Sequence, residues 1–306
     1  MMNTERFRGV IPPVPTIVDE TGALDKKGMA VLIERVVASG VNGMLLLGSG
    51  GEFCHMSTAL RKEVAEFTVK QVAGRMPVLL GVGACGTAEV IDLGRHAASI
   101  GVDAVLVVNP YYAKLSEEAL FRHYQKIAAT LEVPVLLYNF PALTGQELTV
   151  ELVKRLALSC PNIVGIKDTV DSISHTRQLI TDVKSARPDF LVFSGFDEYL
   201  LDTLILGGDG GVPASSNYAP DICCGIYKAF QNNDLAAITG LEQRLARLMP
   251  IYSLDTPYFG LVKEAIRLTG SDISTAVLAP ALTPTPETKE KLVDILTKAG
   301  VLPKAS

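Results

Sequence analysis

A chain of 306 residues, 48% hydrophobic and 20% charged, is long and apolar enough for one large α/β core with an appendage. Its net charge of -5 and the lack of any basic run argue against nucleic acid as a partner. The first eight residues hold no apolar stretch of signal-peptide length. The longest apolar runs are strand-sized, which argues against a transmembrane helix and a membrane role.

In chain order, short apolar runs alternate with segments of helical period. A strand is expected at 10–16 and a helix at 27–39. Strand–helix pairs follow at 43–47 and 57–73, 78–81 and 87–99, 104–108 and 116–130, and 133–138 and 149–158. Three more stand at 163–167 and 172–184, 191–194 and 197–206, and 211–214 and 220–231. Ser57 and Ser116 stand where N-cap hydroxyls belong. Glu117 and Glu118 place carboxylates in a first turn, where the helix dipole favours them. Gly40, Gly74 and Gly101 occupy the C′ positions of three helices.

Eight such units without a two-residue hairpin turn imply a parallel sheet. The strand runs are apolar on both faces, as a sheet covered by helices requires. The eightfold count favours a closed (β/α)8 TIM barrel over an open doubly wound sheet, and no GxGxxG follows the first strand. After residue 231 the strands stop. Helical patterns at 235–248, 258–269 and 287–299 are punctuated by Pro250, Pro257, Pro280, Pro284 and Pro286. The expectation is an α/β barrel over 1–231, carrying the catalysis, with a C-terminal helical extension over 232–306 packed on it.

Cys54, Cys85, Cys160, Cys223 and Cys224 make an odd set without metal-ligand spacing, which fits a reducing cytoplasm. Vicinal Cys223 and Cys224 read as two small residues near the packing face of a helix, against a redox or metal site as the alternative. His55, His96, His123 and His175 are scattered, so no metal centre is expected.

Chemistry in a TIM barrel sits at the C-terminal strand ends. Tyr138 ends the fifth run and Lys167 the sixth. Neighbouring strands lie about 5 Å apart, so an amine and a phenol come within reach of each other. A lone strand-end lysine is usually a solvated charge. Paired with a tyrosine at a barrel mouth, it suggests Schiff-base attack on a keto group, with the phenol moving protons. Gly48-Ser49-Gly50-Gly51 offers amide donors and a hydroxyl to a carboxylate. A tight turn needing positive φ is the competing reading. Asp197 and Glu198 open a helix, where the dipole alone would favour them.

Four motifs now carry a resemblance: Gly48-Ser49-Gly50-Gly51-Glu52, Asn109-Pro110-Tyr111-Tyr112, Tyr138 through Gly145, and Gly165-Ile166-Lys167-Asp168-Thr169. The chain resembles the dihydrodipicolinate synthase / N-acetylneuraminate lyase superfamily along essentially its whole length. It is most similar to the bacterial 2-keto-3-deoxy sugar-acid aldolases, of gluconate or pentonate type. The resemblance implies a Schiff base on Lys167 and acid/base work by Tyr138. It implies a proton relay through Ser49 and a tyrosine, Tyr112, reaching across a dimer interface. A dimer or tetramer follows as an expectation. Backbone amides of Ser49 and Gly50 would hold the pyruvate carboxylate, and Gly195 and Val212 would line the ketone. Thr169, Asp197 and Glu198 are candidates for aldehyde-side hydroxyls. The family usually has a second hydroxyl residue where this chain has Gly50.

Leu143 decides between substrates. Dihydrodipicolinate synthases carry there an arginine that binds the carboxylate of aspartate semialdehyde, a contact leucine cannot make. The resemblance thus implies reversible cleavage of a keto-deoxy acid to pyruvate and a hydroxyaldehyde, without metal or organic cofactor. Dehydration, sialate-lyase or dihydrodipicolinate-synthase activity on the same scaffold are the rival reactions. A non-catalytic sugar-acid sensor is the rival class, because fold does not fix function.

Overall fold

The computed structural model describes residues 4–303, so the outer limits of the two expected segments lie outside it. Eight parallel strands carry the chain: β1 (Gly9–Val10), β2 (Met44–Leu46), β3 (Val78–Gly81), β4 (Ala104–Val108), β5 (Val135–Asn139), β6 (Ile163–Asp168), β7 (Leu191–Ser194) and β8 (Gly210–Gly211). Their order, β1-β8-β7-β6-β5-β4-β3-β2, brings the first strand round towards the second. The seam closes beyond β1, where the Val14 amide donates to Leu45 O at 2.8 Å and the Leu45 amide to Pro12 O at 2.9 Å. A parallel bridge pairs Pro13 with Leu45. The result is a (β/α)8 barrel.

The first and last strands are much shorter than the sequence suggests. The expected 10–16 strand keeps regular pairing only at its start, because Pro12 and Pro13 have no N–H to give a ladder. The expected 211–214 strand reduces to Gly210–Gly211. There a Cβ on Gly210, whose φ is 149°, would lie 1.9 Å from Gly9 O. Close backbone approach leaves no room for a side chain at that joint.

Helices α1 (Lys26–Ala38), α2 (Thr58–Val72), α3 (Thr87–Ser99) and α4 (Glu117–Thr130) cover the first half. The Ser57 and Ser116 hydroxyls accept from the amides of Leu60 and Ala119, as N-caps do. Gly40, Gly74 and Gly101 take positive φ past three helix ends. A short turn of helix, α5 (Pro141–Thr144), precedes α6 (Val150–Ser159). The expected 172–184 helix is α7 (Ile173–Gln178) continued by a π-helical stretch, Leu179–Lys184. A 3-10 turn, Asp197–Tyr199, opens α8 (Leu200–Ile205). In α9 (Pro220–Gln231) Cys223 is buried and Cys224 half-buried, both as free thiols.

The tail forms α10 (Leu235–Leu248), α11 (Phe259–Leu268) and α12 (Pro286–Lys298). Leu245, Leu248, Leu261, Ile266, Leu292 and Leu296 are buried in the same core as the barrel strands. Among the described residues no helix is long and apolar enough to cross a membrane.

Candidate active site

Register places the amine against the phenol. In β5 and β6, Tyr138 pairs with Lys167 and Asn139 with Asp168. The pairing begins as Val135 with Ile163 but continues as Leu136 with Gly165, so β6 carries one extra residue. Without that irregularity Tyr138 would oppose Ile166, and Lys167 would be offset from it, because successive side chains point to opposite faces. Lys167 is buried, 4% exposed, and its Nζ lies 4.3 Å from the centroid of the Tyr138 ring. The Tyr138 hydroxyl lies 3.2 Å from Ser49 Oγ. Three groups from the ends of β2, β5 and β6 thus meet at one point.

The residues that follow the pair face the other way and lock it. Asn139 Nδ2 donates to Asp168 Oδ1 at 2.9 Å, and its Oδ1 accepts from the Leu148 amide at 2.9 Å. Asp168 Oδ2 receives His175 Nδ1 at 2.9 Å and the Thr176 hydroxyl at 3.0 Å. Burial works against a charge on His175, but Asp168 and Glu147 outweigh it and hold the imidazole above its ordinary pKa. Asp168 is therefore spent on this network and does not neutralise its neighbour Lys167.

The Ser49 loop is anchored from the tail. Glu52 sits at φ 62° with its side chain fully buried. Its carboxylate pairs with Lys263 of α11 at 2.5 Å and accepts from the Leu278 amide at 2.7 Å. Lys263 also donates to Ala276 O at 2.6 Å. Burial pulls the Lys263 ammonium down and Glu52 pushes it back up. The sequence marked Glu52 as part of a motif but gave no hint of Lys263, a second buried lysine, this one fully paired.

The aldehyde-side candidates separate. Thr169 is buried and its Oγ1 has no hydrogen-bond partner among the described residues. A Cβ on Gly195 would lie 1.8 Å from that oxygen, so Gly195 makes room for Thr169. Val212 is buried beyond β8, its amide donating to Ser194 O at 2.8 Å. Asp197 is committed to the fold. It accepts from the amides of Ala214 and Ser215 at 3.0 and 2.8 Å and from the Tyr252 hydroxyl at 3.2 Å. Burial raises its pKa against those bonds. Glu198 is exposed and makes none of these bonds. Its pKa is raised by partial desolvation of the carboxyl and by Asp197 and Asp171.

A cleft of about 300 Å³ opens beside Ser49, with Phe53, Tyr111, Phe140, Leu143 and Phe259 among its walls. A groove of about 650 Å³ near Asn162 and Arg187 lies at the opposite strand ends and holds none of these groups. Tyr111 lines the cleft with its phenol pushed up to about 12 by burial and the thiols of Cys85 and Cys54. Tyr112 is fully exposed at φ 77°.

The Dihydrodipicolinate synthetase family matches residues 6–299. The chain belongs to this family. It is thereby an enzyme of a pyruvate-dependent lyase family. The chain is 46% identical to Escherichia coli YjhH over 98% of its own length and 99% of that protein. With Escherichia coli YagE the identity is 47%, over 92% and 93%. Both relatives are named provisionally, YjhH as a 2-dehydro-3-deoxy-D-pentonate aldolase and YagE as a 2-dehydro-3-deoxy-D-gluconate aldolase. The crystal structure of YagE in complex with pyruvate superposes with a TM-score of 0.95 at 46% identity, over 97% of this chain and 99% of that one. Dihydrodipicolinate synthase from Thermotoga maritima superposes at 0.91 and 30% identity, over 96% and 99%.

Within the dihydrodipicolinate synthetase family, the rim at Leu143 is telling. Leu143 is 60% exposed, and among the described residues none lining its cleft is a lysine or arginine. A carboxylate on the aldehyde fragment would find no ammonium or guanidinium among those lining residues, which include His55.

Proposed function

We propose that the chain is a class I aldolase that reversibly cleaves a 2-keto-3-deoxy sugar acid, of gluconate or pentonate type, into pyruvate and a hydroxyaldehyde. The observation that carries this reading is the buried Lys167 amine over the Tyr138 ring, with Tyr138 joined to Ser49. The neutral amine adds to C2 of the keto acid and water leaves, giving an iminium. Tyr138 gives its proton to the departing C2 hydroxyl, and the phenolate so formed takes the proton of the C4 hydroxyl as the C3–C4 bond breaks. The electron pair of that bond passes into the iminium as an enamine, and the aldehyde departs. The enamine takes a proton at C3, and water then releases pyruvate and the lysine. Ser49 shuttles protons with Tyr138.

Ser49 and Gly50 amides hold the carboxylate, while Val212 and Gly195 flank the ketone. Thr169 and Glu198 serve the hydroxyls of the aldehyde part; Asp197 acts by holding the loop at Ser215. The scheme draws on no metal or organic cofactor. The largely apolar rim at Leu143, without lysine or arginine among the described lining residues, favours an uncharged hydroxyaldehyde, in keeping with the names of YjhH and YagE. A fully exposed tyrosine in the left-handed region costs about 1–2 kcal/mol of backbone strain. Tyr112 therefore supports a homo-oligomer in which it completes a partner's relay.

Borohydride reduction with pyruvate, followed by peptide mass analysis, tests the mechanism. One reduced pyruvate on Lys167 is expected, and none in Lys167→Ala, whose turnover should vanish. A folded wild-type protein without the adduct would sink the reading.

A further inference from the structure

Tyr258 stands immediately before α11, in the tail, yet it faces the Ser49 loop. Its ring packs edge-on against Tyr252 and Phe259, with centroids 5.4 and 5.6 Å away, which fixes the direction of the phenol. A Cβ built on Gly50 would lie 3.6 Å from the Tyr258 hydroxyl and 3.7 Å from Cε2. The hydroxyl thus stands over the bare Cα of Gly50, one residue from the Ser49 side chain that contacts Tyr138. Tyr252, its neighbour, gives its own hydroxyl to Asp197, whereas Tyr258 has no protein acceptor among the described residues. Burial raises the Tyr258 phenol, and Tyr138 and Asp197 raise it further, so it stays protonated and able to donate.

We propose that Tyr258 is a substrate-binding residue whose hydroxyl donates a hydrogen bond to a carboxylate oxygen of the keto acid held on the Ser49 and Gly50 amides. Two features then share one cause. Residue 50 is a glycine because the hydroxyl that a serine would place there arrives from the tail instead. The C-terminal extension completes the anion site by the same route through which Lys263 anchors Glu52. This rests on the Schiff-base reading above.

The test is the concentration of pyruvate needed for half-maximal borohydride trapping on Lys167. Acetone, a ketone without the carboxylate, is the control. Tyr258→Phe keeps the ring and removes the hydroxyl. A hydrogen bond to a charged group contributes about 1.5–3 kcal/mol, so the pyruvate requirement should rise about tenfold or more, with acetone unchanged. Adding Gly50→Ser to Tyr258→Phe should recover part of the loss, because the built Cβ meets only ordinary contacts.

An unchanged pyruvate requirement in Tyr258→Phe overturns the assignment and leaves the Schiff base standing. Equal losses for pyruvate and acetone also overturn it, since they report a displaced ring. A higher KM for the whole sugar acid with normal pyruvate trapping would move the phenol to the aldehyde end, against the proposal. Wild-type protein that pyruvate does not trap removes the mechanism and this assignment together.

Discussion

At residue 195 a neighbour dictates the missing side chain. Thr169 holds the space a Cβ would need, its Oγ1, Cβ and Cα lying 1.8, 2.7 and 2.9 Å from that position. The last of these is backbone, so rotating the threonine cannot relieve the clash. Gly195→Ala should cost about 1–3 kcal/mol by overpacking and should raise KM for the sugar acid by shifting Thr169. Urea unfolding and steady-state kinetics check both, and a variant matching wild type in each would refute the steric account. The expectation that Gly195 lines the pocket carried no hint of this steric reason. Lys167 and Tyr138 were legible because each ends an apolar run, and because a side chain's face follows from the alternation along a strand. Asp197 was not, since its partners Ala214, Ser215 and Tyr252 come 17, 18 and 55 residues later. Sequence position marks a carboxylate at a barrel mouth. Only packing shows whether its oxygens are already used.

Among the elements, the loop after β2 and helix α11 behave as one unit. The Glu52–Lys263 pair has both side chains at 0% exposure. Removing one partner of such a pair leaves a buried charge without compensation, at about 3–5 kcal/mol. Lys263→Met should therefore destabilise by that order, and kcat should fall because Ser49 loses its support three residues away. Replacing both partners, Glu52→Gln with Lys263→Met, should regain much of the stability, since two neutral side chains leave no orphan charge. Thermal unfolding of the two variants settles it: a double variant no more stable than the single one would contradict the charge-pairing account. No local pattern could have announced this contact, because the amide that shares Glu52 belongs to Leu278, 226 residues on. The one-residue irregularity in β6 was equally hidden. The apolar run at 163–167 reads as an uninterrupted strand, and register depends on its partner. By contrast the N-caps, the glycine stops and the eightfold repeat are local, and they were readable.

The molecule as a whole carries a buried histidine and a half-buried glutamate whose effects on stability run in opposite directions with pH. His123 is 5% exposed, with Nδ1 at 2.8 Å from the Thr87 hydroxyl and Nε2 without a partner among the described residues. Burial lowers its pKa from 6.5 to about 4, so the fold favours the neutral ring. The unfolded chain then binds the proton first as pH falls. Stability is present above pH 6.5 and is lost on the way down to about 4, amounting to about 3 kcal/mol at 1.36 kcal/mol per unit. Glu242 of α10 behaves in the opposite sense. Burial, then Asp202, raises its pKa from 4.5 to about 7, and its Oε1 lacks a partner among the described residues. The fold favours the protonated acid, so this contribution is present below pH 4.5 and is lost as pH rises through about 7. His123→Gln should therefore flatten the acid limb of the stability curve, and Glu242→Gln should raise Tm at pH 8 while leaving pH 4 nearly unchanged. Differential scanning calorimetry across pH 4–8 separates the two limbs. A Glu242→Gln gain that is equal at both ends would mean that packing, and not the buried charge, governs α10.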